Sequence, residues 1–392
     1  MNDINAKRYL VLSVFIMTFV FNAWNVLLNN FIVEVGGFNG FETGGLHSLR
    51  ELPGLLAFLV IYITIYIKEQ SFALTSLVVL CLGVAMTGMF ENVWGIYLSS
   101  LIMSLGFHYF ETINQSLTYQ NVSKEELPTF MGDVLSKQGL ANLLAYFFVF
   151  SLVSVLSYKY TYLSIGISGL VLVLFVVYKF RGIKLISRPS SRKIVLKKNY
   201  TLFYILTFLK GARRQIFIVF ASYMLVEKFN LSVNQVLSIY MATYLVNFLF
   251  ARLIGRIVNV LGERKSLILE YSSLLIIFIS YAYVENVYIC IALYIADHFF
   301  FSMGIALKSY LKKIIHDEDI SSTASISFTI NHIGAVILPV LLGGIWISSS
   351  SLVFIIGSTL AFISVIFSLL IPSNPYIGNE SIFSDKLEFK RG

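Results

Sequence analysis

Twelve apolar stretches, each about 20 residues long, follow one another along this chain with only short connections between them. A stretch of that length crosses the hydrocarbon core of a bilayer as one helix. Hydrophobic residues make up 57% of the chain and charged residues only 13%, and the mean hydropathy is +0.80. A soluble domain cannot cover its surface with so few charges. The sequence therefore predicts an all-α membrane protein of twelve transmembrane helices.

The distribution of Lys and Arg predicts the orientation of these helices. The central connection, residues 179–199, is rich in Lys and Arg and contains no acidic residue. Because positively charged loops stay on the cytoplasmic side, we expect this loop and both termini in the cytoplasm of a cell with an inner membrane of bacterial or archaeal type. The net charge of +8 is then an orientation signal, and nothing else in the sequence points to nucleic acid.

The two halves of the chain resemble each other. The tripeptide Glu-Asn-Val at 91–93 recurs 194 residues later at 285–287, and an offset of 189 residues places Arg213 on Trp24 and Arg214 on Asn25. Parallel repeats of six helices are a known plan of transporters. We expect an N-terminal six-helix bundle at 1–178, a basic linker at 179–199, a C-terminal six-helix bundle at 200–371 and a cytoplasmic tail at 372–392.

One segment resembles a known family. The residues from Gly255 to Lys265 are similar to G-x-L-x-D-R-x-G-R-[RK], the signature loop of the major facilitator superfamily; Gly255, Gly262 and Arg264 fit, whereas Asn259 replaces the acid. With the number of spans, the basic central loop and the repeats, the resemblance covers essentially the whole chain. It implies two pseudo-symmetric six-helix bundles that rock around a central cavity, with Gly255, Asn259, Gly262 and Arg264 in a gating loop.

Ionised side chains within the apolar stretches indicate the function, because a charge in hydrocarbon costs about 2.5 kcal/mol or more. Lys210, Arg213 and Arg214 lie at helical spacing in the seventh stretch, and bases outnumber acids within the stretches. This excess indicates an anionic or zwitterionic organic solute, which an arginine can grip through two hydrogen bonds. The alternative is that the arginines form internal ion pairs with Glu111 or Asp297.

Other polar residues complete the predicted sites. The solute site includes the three cations together with Asn22, Asn25, Gln115, Tyr244 and Asn247; hydrogen bonds between packed helices explain the amides nearly as well. A carrier of protons needs a group that ionises reversibly as its surroundings change. Proton coupling is therefore assigned to Glu111 and Asp297, together with His108 and His298.

The sequence contains no metalloprotease motif, no nucleotide-binding glycine loop and no serine-hydrolase elbow. We therefore expect a secondary active transporter that works by alternating access, and not an enzyme, with no cofactor and no metal site. Its expected partners are the lipid bilayer, a small solute and H+, and we expect a monomer. Cys81 and Cys290 lie in apolar stretches, which predicts buried free thiols. An efflux permease for amphipathic compounds, a non-transporting sensor and a lipid flippase with the same fold are the alternatives.

Cysteine labelling in intact cells and in inverted membranes tests the orientation. The thiol introduced by Ser190→Cys should react only from the cytoplasm, because the basic loop stays inside. The thiol introduced by Asn39→Cys, in the first outer connection, should react only from outside. The parent protein is the control, since its two native cysteines are expected to be buried. The opposite accessibility would overturn the topology.

Overall fold

The structure is a computed structural model that describes residues 2–38, 40–187, 196–231 and 233–384. The labelling positions Asn39 and Ser190 lie outside these residues. The described chain is almost entirely helical, and its extended pairing is limited to one isolated bridge between Tyr376 and Asn379. This confirms the all-α prediction.

Twelve helical segments follow one another in the described chain, and we number them spans 1 to 12. They lie at Asn2–Glu34, 40–63, Glu69–Thr87, Val93–Asn121, Leu127–Val153, Tyr158–Lys179, 201–227, Val233–Leu261, Glu263–Tyr283, 287–314, Ile320–Ser348 and Ser350–Leu369. Among these described segments, all except spans 5 and 7 are long and apolar enough to cross a membrane, which makes ten. Span 7 is the segment that carries the cations predicted to bind solute.

Three spans contain local breaks in the α-helix. Span 2 contains Pro53, which cannot donate a backbone hydrogen bond, and its helix Gly40–Leu55 gives way to a 3-10 turn at Ala57–Leu59. Span 7 widens into a π-helix at Ile216–Ala221, and span 10 tightens into a 3-10 turn at Ser302–Gly304. π-Helical turns are frequent at functional sites. The break in span 7 directly follows its charged residues.

The junction between spans 8 and 9 differs from the loop that the sequence predicts. Span 8 remains helical to Leu261 and span 9 begins at Glu263, so Gly255 and Asn259 are helical residues. Gly262 alone separates the two helices, and its φ of +77° lies in the left-handed region, where glycine is favoured because it has no Cβ. The residues that resemble the family signature therefore form the end of span 8, a one-residue turn and the start of span 9.

The chain folds into two compact units. Unit 1 comprises Met1–Val122, Lys137–Ile194 and Asp317–Thr329, and unit 2 comprises Ser123–Ser136, Val195–His316 and Ile330–Gly392. Spans 5 and 11 contribute to both units, because span 5 begins in unit 2 and span 11 begins in unit 1. The division of the chain at residues 178 and 200 stays a prediction.

Each unit has a core of apolar and aromatic side chains. In unit 1, Trp24 is fully buried and donates its indole N–H to Thr87 Oγ1 at 3.0 Å. In unit 2, Phe220 and Trp346 stack with their ring centroids 5.4 Å apart. The two cysteines are free and buried, which confirms the prediction made for them.

Unit 1 contains a buried carboxylate at the start of span 3. Glu69 is the first residue of this helix and is 2% exposed. It accepts hydrogen bonds from Ser116 Oγ at 2.8 Å and from Gln120 Nε2 at 2.7 Å, both on span 4. A negative charge is also favoured at a helix N-terminus by the helix dipole. These donors hold spans 3 and 4 together through the carboxylate.

Unit 2 repeats this arrangement at the start of span 9. Glu263 follows Glu69 by 194 residues, is equally buried, and is the first residue of its helix. It accepts hydrogen bonds from Ser309 Oγ at 2.7 Å and from Lys313 Nζ at 2.9 Å, both on span 10. The offset is the one that relates the two Glu-Asn-Val tripeptides, so the internal repeat extends to a shared structural contact.

The linker and the tail both have ordered segments packed against the spans. The side chain of Gln70 makes two hydrogen bonds with the start of the linker. Its Nε2 donates to Ile183 O at 3.1 Å, and its Oε1 accepts from Leu185 N at 3.2 Å. In the tail, the Tyr310 hydroxyl donates to the carbonyl of Glu380. Residues 183 and 185 of the predicted linker are therefore held against span 3.

Substitution of Glu69 tests the buried carboxylate of unit 1. Glu69→Ala removes the acceptor of the buried Ser116 hydroxyl and one of the acceptors of Gln120, and a buried donor without an acceptor costs about 1 to 3 kcal/mol. We expect a clear fall in the thermal denaturation midpoint of the purified protein. The control is Glu91→Ala, since Glu91 is exposed in the connection before span 4. Equal midpoints for the two variants would contradict the role given to Glu69.

Candidate functional site

Spans 7, 9 and 10 bring four charged side chains together inside unit 2. Arg213 is 1% exposed, and Glu270 and Asp297 are 0% exposed. Glu270 interacts electrostatically with Lys210 and Arg213, and Asp297 interacts with Arg213 and Glu270. We call these four residues the buried charge cluster. The sequence predicted three of them as site residues and missed Glu270.

The buried charge cluster contains polar atoms without hydrogen-bond partners in the described part of the chain. These atoms are all three guanidinium nitrogens of Arg213 and both carboxylate oxygens of Glu270 and of Asp297. Arg213 lies instead over the ring of Tyr271, with its Cζ 4.1 Å from the ring centroid, which is a cation–π contact. Buried polar groups without partners are costly and are commonly satisfied by water, a proton or a ligand.

Lys210 is positioned by the 3-10 turn of span 10. Its Nζ donates to the carbonyl of Gly304 at 3.1 Å and lies 5.1 Å from the ring centroid of Phe301. A Cβ atom on Gly304 would lie 1.9 Å from Lys210 Nζ and 3.4 Å from Glu270 Oε1. The missing side chain of Gly304 therefore leaves the space in which the ammonium and the carboxylate approach each other.

Arg214 differs from Arg213 although the two are neighbours in sequence. Arg214 is partly exposed, and within the described residues it forms neither an ion pair nor a hydrogen bond. Consecutive helical residues point about 100° apart, which follows from the helical repeat. Span 7 thus buries Arg213 completely within unit 2 and leaves Arg214 partly exposed, with its Nε buried.

A second polar group in unit 2 joins three of the predicted site residues. Asn247 Nδ2 and His298 Nε2 are 2.8 Å apart, and the ring of Tyr244 meets that of His298 edge to face with centroids 6.2 Å apart. Ser302, which the sequence did not single out, donates to Asn247 Oδ1 at 3.1 Å. Spans 8 and 10 are therefore linked by side-chain hydrogen bonds in the middle of both helices.

Unit 1 links spans 1, 2 and 4 through polar side chains. Arg50 Nη1 donates to Asn25 Oδ1 at 3.1 Å, and Arg50 pairs with Glu51 at 3.5 Å. The hydroxyl of Ser104 donates to the carbonyl of Arg50 and lies 2.9 Å from Nδ1 of the buried His108. Asn25 and His108 thus belong to one group centred on Arg50.

The other predicted residues of unit 1 have local surroundings. Asn22 Nδ2 donates to the carbonyl of Thr18, 3.0 Å away in its own helix. Gln115 Nε2 donates to the hydroxyl of Tyr119 at 3.1 Å, also within one helix. Glu111 is partly buried on span 4. The structure therefore gives Asn22 and Gln115 contacts within their own helices.

Two of the predicted gating residues, Gly255 and Asn259, lie where the start of span 5 crosses the end of span 8, within unit 2. A Cβ atom on Gly255 would lie 2.4 Å from the carbonyl oxygen of Pro128, and one on Gly132 would lie 2.5 Å from that of Ala251. Each helix thus presents a glycine to the backbone of the other. Small residues allow this close approach of two membrane helices.

Polar pairs flank this glycine contact. Asn259 Nδ2 donates to Thr129 Oγ1 at 3.0 Å, and Arg252 forms an ion pair with Asp133. Asn259 occupies the position of the acid in the family signature, so a neutral hydrogen bond joins the two spans there. Arg264 is partly buried and forms no ion pair in the described part of the chain.

A bulky side chain at Gly255 should separate spans 5 and 8. The pair Thr129→Cys and Asn259→Cys should cross-link readily, since the native side chains are in hydrogen-bond contact. Gly255→Leu should lower the rate of cross-linking by about tenfold, because overpacking costs about 1 to 3 kcal/mol. The control is Gly344→Leu, since no atom lies within 4 Å of a Cβ at that position. Equal rates in both backgrounds would contradict the close contact.

Solved structures of transporters resemble this chain. The transporter FucP in its outward conformation has a TM-score of 0.77 and 13% identity, with 94% of this chain and 99% of that chain covered. The proton:xylose symporter XylE has a TM-score of 0.76 and 10% identity, with 98% of each chain covered. The human organic anion transporter MFSD10 has a TM-score of 0.70 and 13% identity, with 93% and 99% covered. At these identities the likeness shows the fold.

The sequence pattern of the Major Facilitator Superfamily matches residues 10–339, which is most of the chain. A search of the curated proteins found no match. Together with the helical architecture, this match indicates a transporter of small solutes rather than an enzyme. The chain therefore belongs to the Major Facilitator Superfamily and is a multi-pass membrane protein of that family.

Proposed function

We propose that this protein is a secondary active transporter of a small anionic or zwitterionic organic solute, that it works by alternating access, and that transport is coupled to H+. The family and the fold support secondary transport. A monomer in the inner membrane with both termini in the cytoplasm is part of this proposal. The class of solute is inferred from one observation, which is the difference in surroundings between Arg213 and Arg214 of span 7.

Arg213 has two buried carboxylates as electrostatic neighbours, so its charge is balanced within unit 2. Arg214 has no ion-pair partner among the described residues and is partly exposed. A cation near a low-dielectric interior attracts an anion strongly. The guanidinium group can hold a carboxylate or a phosphate through two parallel hydrogen bonds. We therefore assign the anionic group of the solute to Arg214.

Several other residues are candidates for contact with the rest of the solute. Tyr244 and Asn247 lie beside His298 and offer aromatic surface and hydrogen-bonding groups on unit 2. Lys210 adds positive charge one helical turn before Arg214, which favours anionic solutes further. Asn22, Asn25 and Gln115 of unit 1 remain candidates with the same hydrogen-bonding chemistry. Glu111 and Asp297, with His108 and His298, are the sequence-based candidates for proton coupling.

Thermal-shift measurements on the purified protein test this assignment. The probes are acetate, succinate, glutamate, inorganic phosphate and the lipophilic cation tetraphenylphosphonium. At least one anion should stabilise the wild type, and Arg214→Ala should fold normally but bind that anion more than about tenfold more weakly. This follows because a hydrogen-bonded charge pair contributes about 2 kcal/mol. The control is Arg256→Ala, since Arg256 is exposed at the end of span 8.

Two results would contradict the proposal. Stabilisation by tetraphenylphosphonium alone would favour the efflux permease, and unchanged anion binding by Arg214→Ala would remove Arg214 from the site. Arg213→Ala should instead lower the folded yield, because it leaves Glu270 and Asp297 buried beside one cation fewer. Asp297→Asn should restore part of that yield, which would separate the internal role of Arg213 from solute binding.

A further inference from the structure

We propose that Glu270, which approaches Lys210 in the space beside Gly304, carries the coupling proton, and that an anion bound by Arg214 favours its protonation. This inference rests on the proposed function, since it requires an anion at Arg214. It adds a residue that sequence reasoning did not assign and gives a physical link between solute and proton.

Glu270 differs from the other buried glutamates in its lack of donors. Glu69 and Glu263 each accept hydrogen bonds from two side chains, which stabilise an ionised carboxylate. Neither oxygen of Glu270 has a donor among the described residues, although the residue is completely buried. A carboxyl group without donors is satisfied when it binds a proton or when water reaches it. The surroundings of Glu270 therefore allow its carboxyl group to change protonation state.

The four charges of the buried charge cluster balance only when both of its carboxylates are ionised. The groups that face it are Lys210 and Arg213 on span 7, Tyr271 on its own span and Asp297 on span 10, and Lys308 interacts with Lys210. With both carboxylates ionised, the buried charge cluster has two positive and two negative charges. One added proton leaves an excess positive charge inside unit 2.

An anion at Arg214 compensates for that excess. Arg214 and Lys210 lie four residues apart on span 7 and interact electrostatically. A negative charge bound there lowers the cost of the added proton, because interactions between charges are strong in a low-dielectric interior. By thermodynamic reciprocity, the proton strengthens binding of the anion by the same factor. The proton comes from water and returns to water, so no covalent chemistry or further reactant is needed.

Lys210 is the movable partner in this arrangement. Its ammonium is a compact charge on a flexible stem, and the carbonyl of Gly304 holds it 3.1 Å away. Arg213 is fixed over the ring of Tyr271 and remains a permanent counter-ion for Asp297. Glu270 can thus lose one of its two cationic neighbours when Lys210 shifts, whereas the cationic neighbour of Asp297 is the fixed Arg213. This difference favours Glu270 over Asp297 as the proton carrier.

Infrared pH titration of the full-length protein in lipid nanodiscs tests the carrier without any solute. The wild type should show a carbonyl band of a protonated carboxyl group that disappears as the pH is raised. Glu270→Gln should lose this band, and Glu91→Gln, which changes an exposed glutamate of unit 1, should keep it. Gly304→Ala should move the midpoint of the titration, because the new Cβ displaces Lys210. If Glu270→Gln does not fold, Glu270→Asp should shift the frequency of the band.

The titration has two outcomes that overturn the inference. A band that survives in Glu270→Gln, or in Glu270→Asp without a change in frequency, places the proton elsewhere. The absence of any titrating carboxyl band in the wild type removes the proton carrier altogether. Neither outcome affects the thermal-shift test of Arg214, so a failure of the proton carrier and a failure of the proposed solute class are distinguishable.

A second measurement tests the link to the anion. Succinate and inorganic phosphate are added to the same samples at a pH near the midpoint of the titration. The probe that stabilises the wild type should increase the protonated band, and it should not do so in Arg214→Ala. If that probe binds and the band does not change, the coupling between Arg214 and Glu270 is wrong. If none of the four anions of the thermal-shift measurements binds, the proposed solute class fails, and the titration alone still decides whether Glu270 carries a proton.

Discussion

A charge inside a membrane-embedded helix bundle must have an opposite charge, a hydrogen-bond donor or water beside it. The arrangement of unit 2 follows from this requirement. Span 7 directs Arg213 into the interior, where the ring of Tyr271 and the carboxylates of Glu270 and Asp297 compensate its charge. Gly304 gives the neighbouring Lys210 both a carbonyl acceptor and the room to reach it. Three spans must therefore keep their positions for the charges to be tolerated at all.

The same requirement separates two kinds of buried carboxylate. Glu69 and Glu263 begin helices and are held by side-chain donors of the next span, and a role in fixing the helices follows from these contacts. Glu270 and Asp297 have neighbouring charges but no donors within the described residues. A group that is fully hydrogen-bonded has one stable state, whereas a group held only by charge can change state when the charges move. Hydrogen-bond satisfaction is thus the criterion by which we assign a structural role to Glu69 and Glu263 and propose Glu270 as the proton carrier.

The sequence predicted the features that depend on one helix at a time. The number of spans follows from hydropathy, and the separate directions of Arg213 and Arg214 follow from the helical repeat. Glu270 was missed because nothing on its own span marks it, and its partners Lys210 and Gly304 come from two other spans. The π-helix after Arg214 and the helical form of the segment that resembles the family signature were also not predicted. Which arginine is buried was likewise a question of tertiary structure.

The internal repeat gives an independent argument about span 7. The offset of 189 residues places Arg213 on Trp24 and Arg214 on Asn25. Trp24 and Arg213 are both buried, whereas Asn25 and Arg214 are both at least partly exposed. The burial of these residues therefore agrees with the alignment. The interior position of unit 1 holds an indole that a single hydroxyl satisfies, whereas that of unit 2 holds a guanidinium group with three nitrogens lacking partners in the described chain. The same position of the repeat therefore holds a neutral, hydrogen-bonded side chain in unit 1 and a charged side chain that depends on neighbouring acids in unit 2.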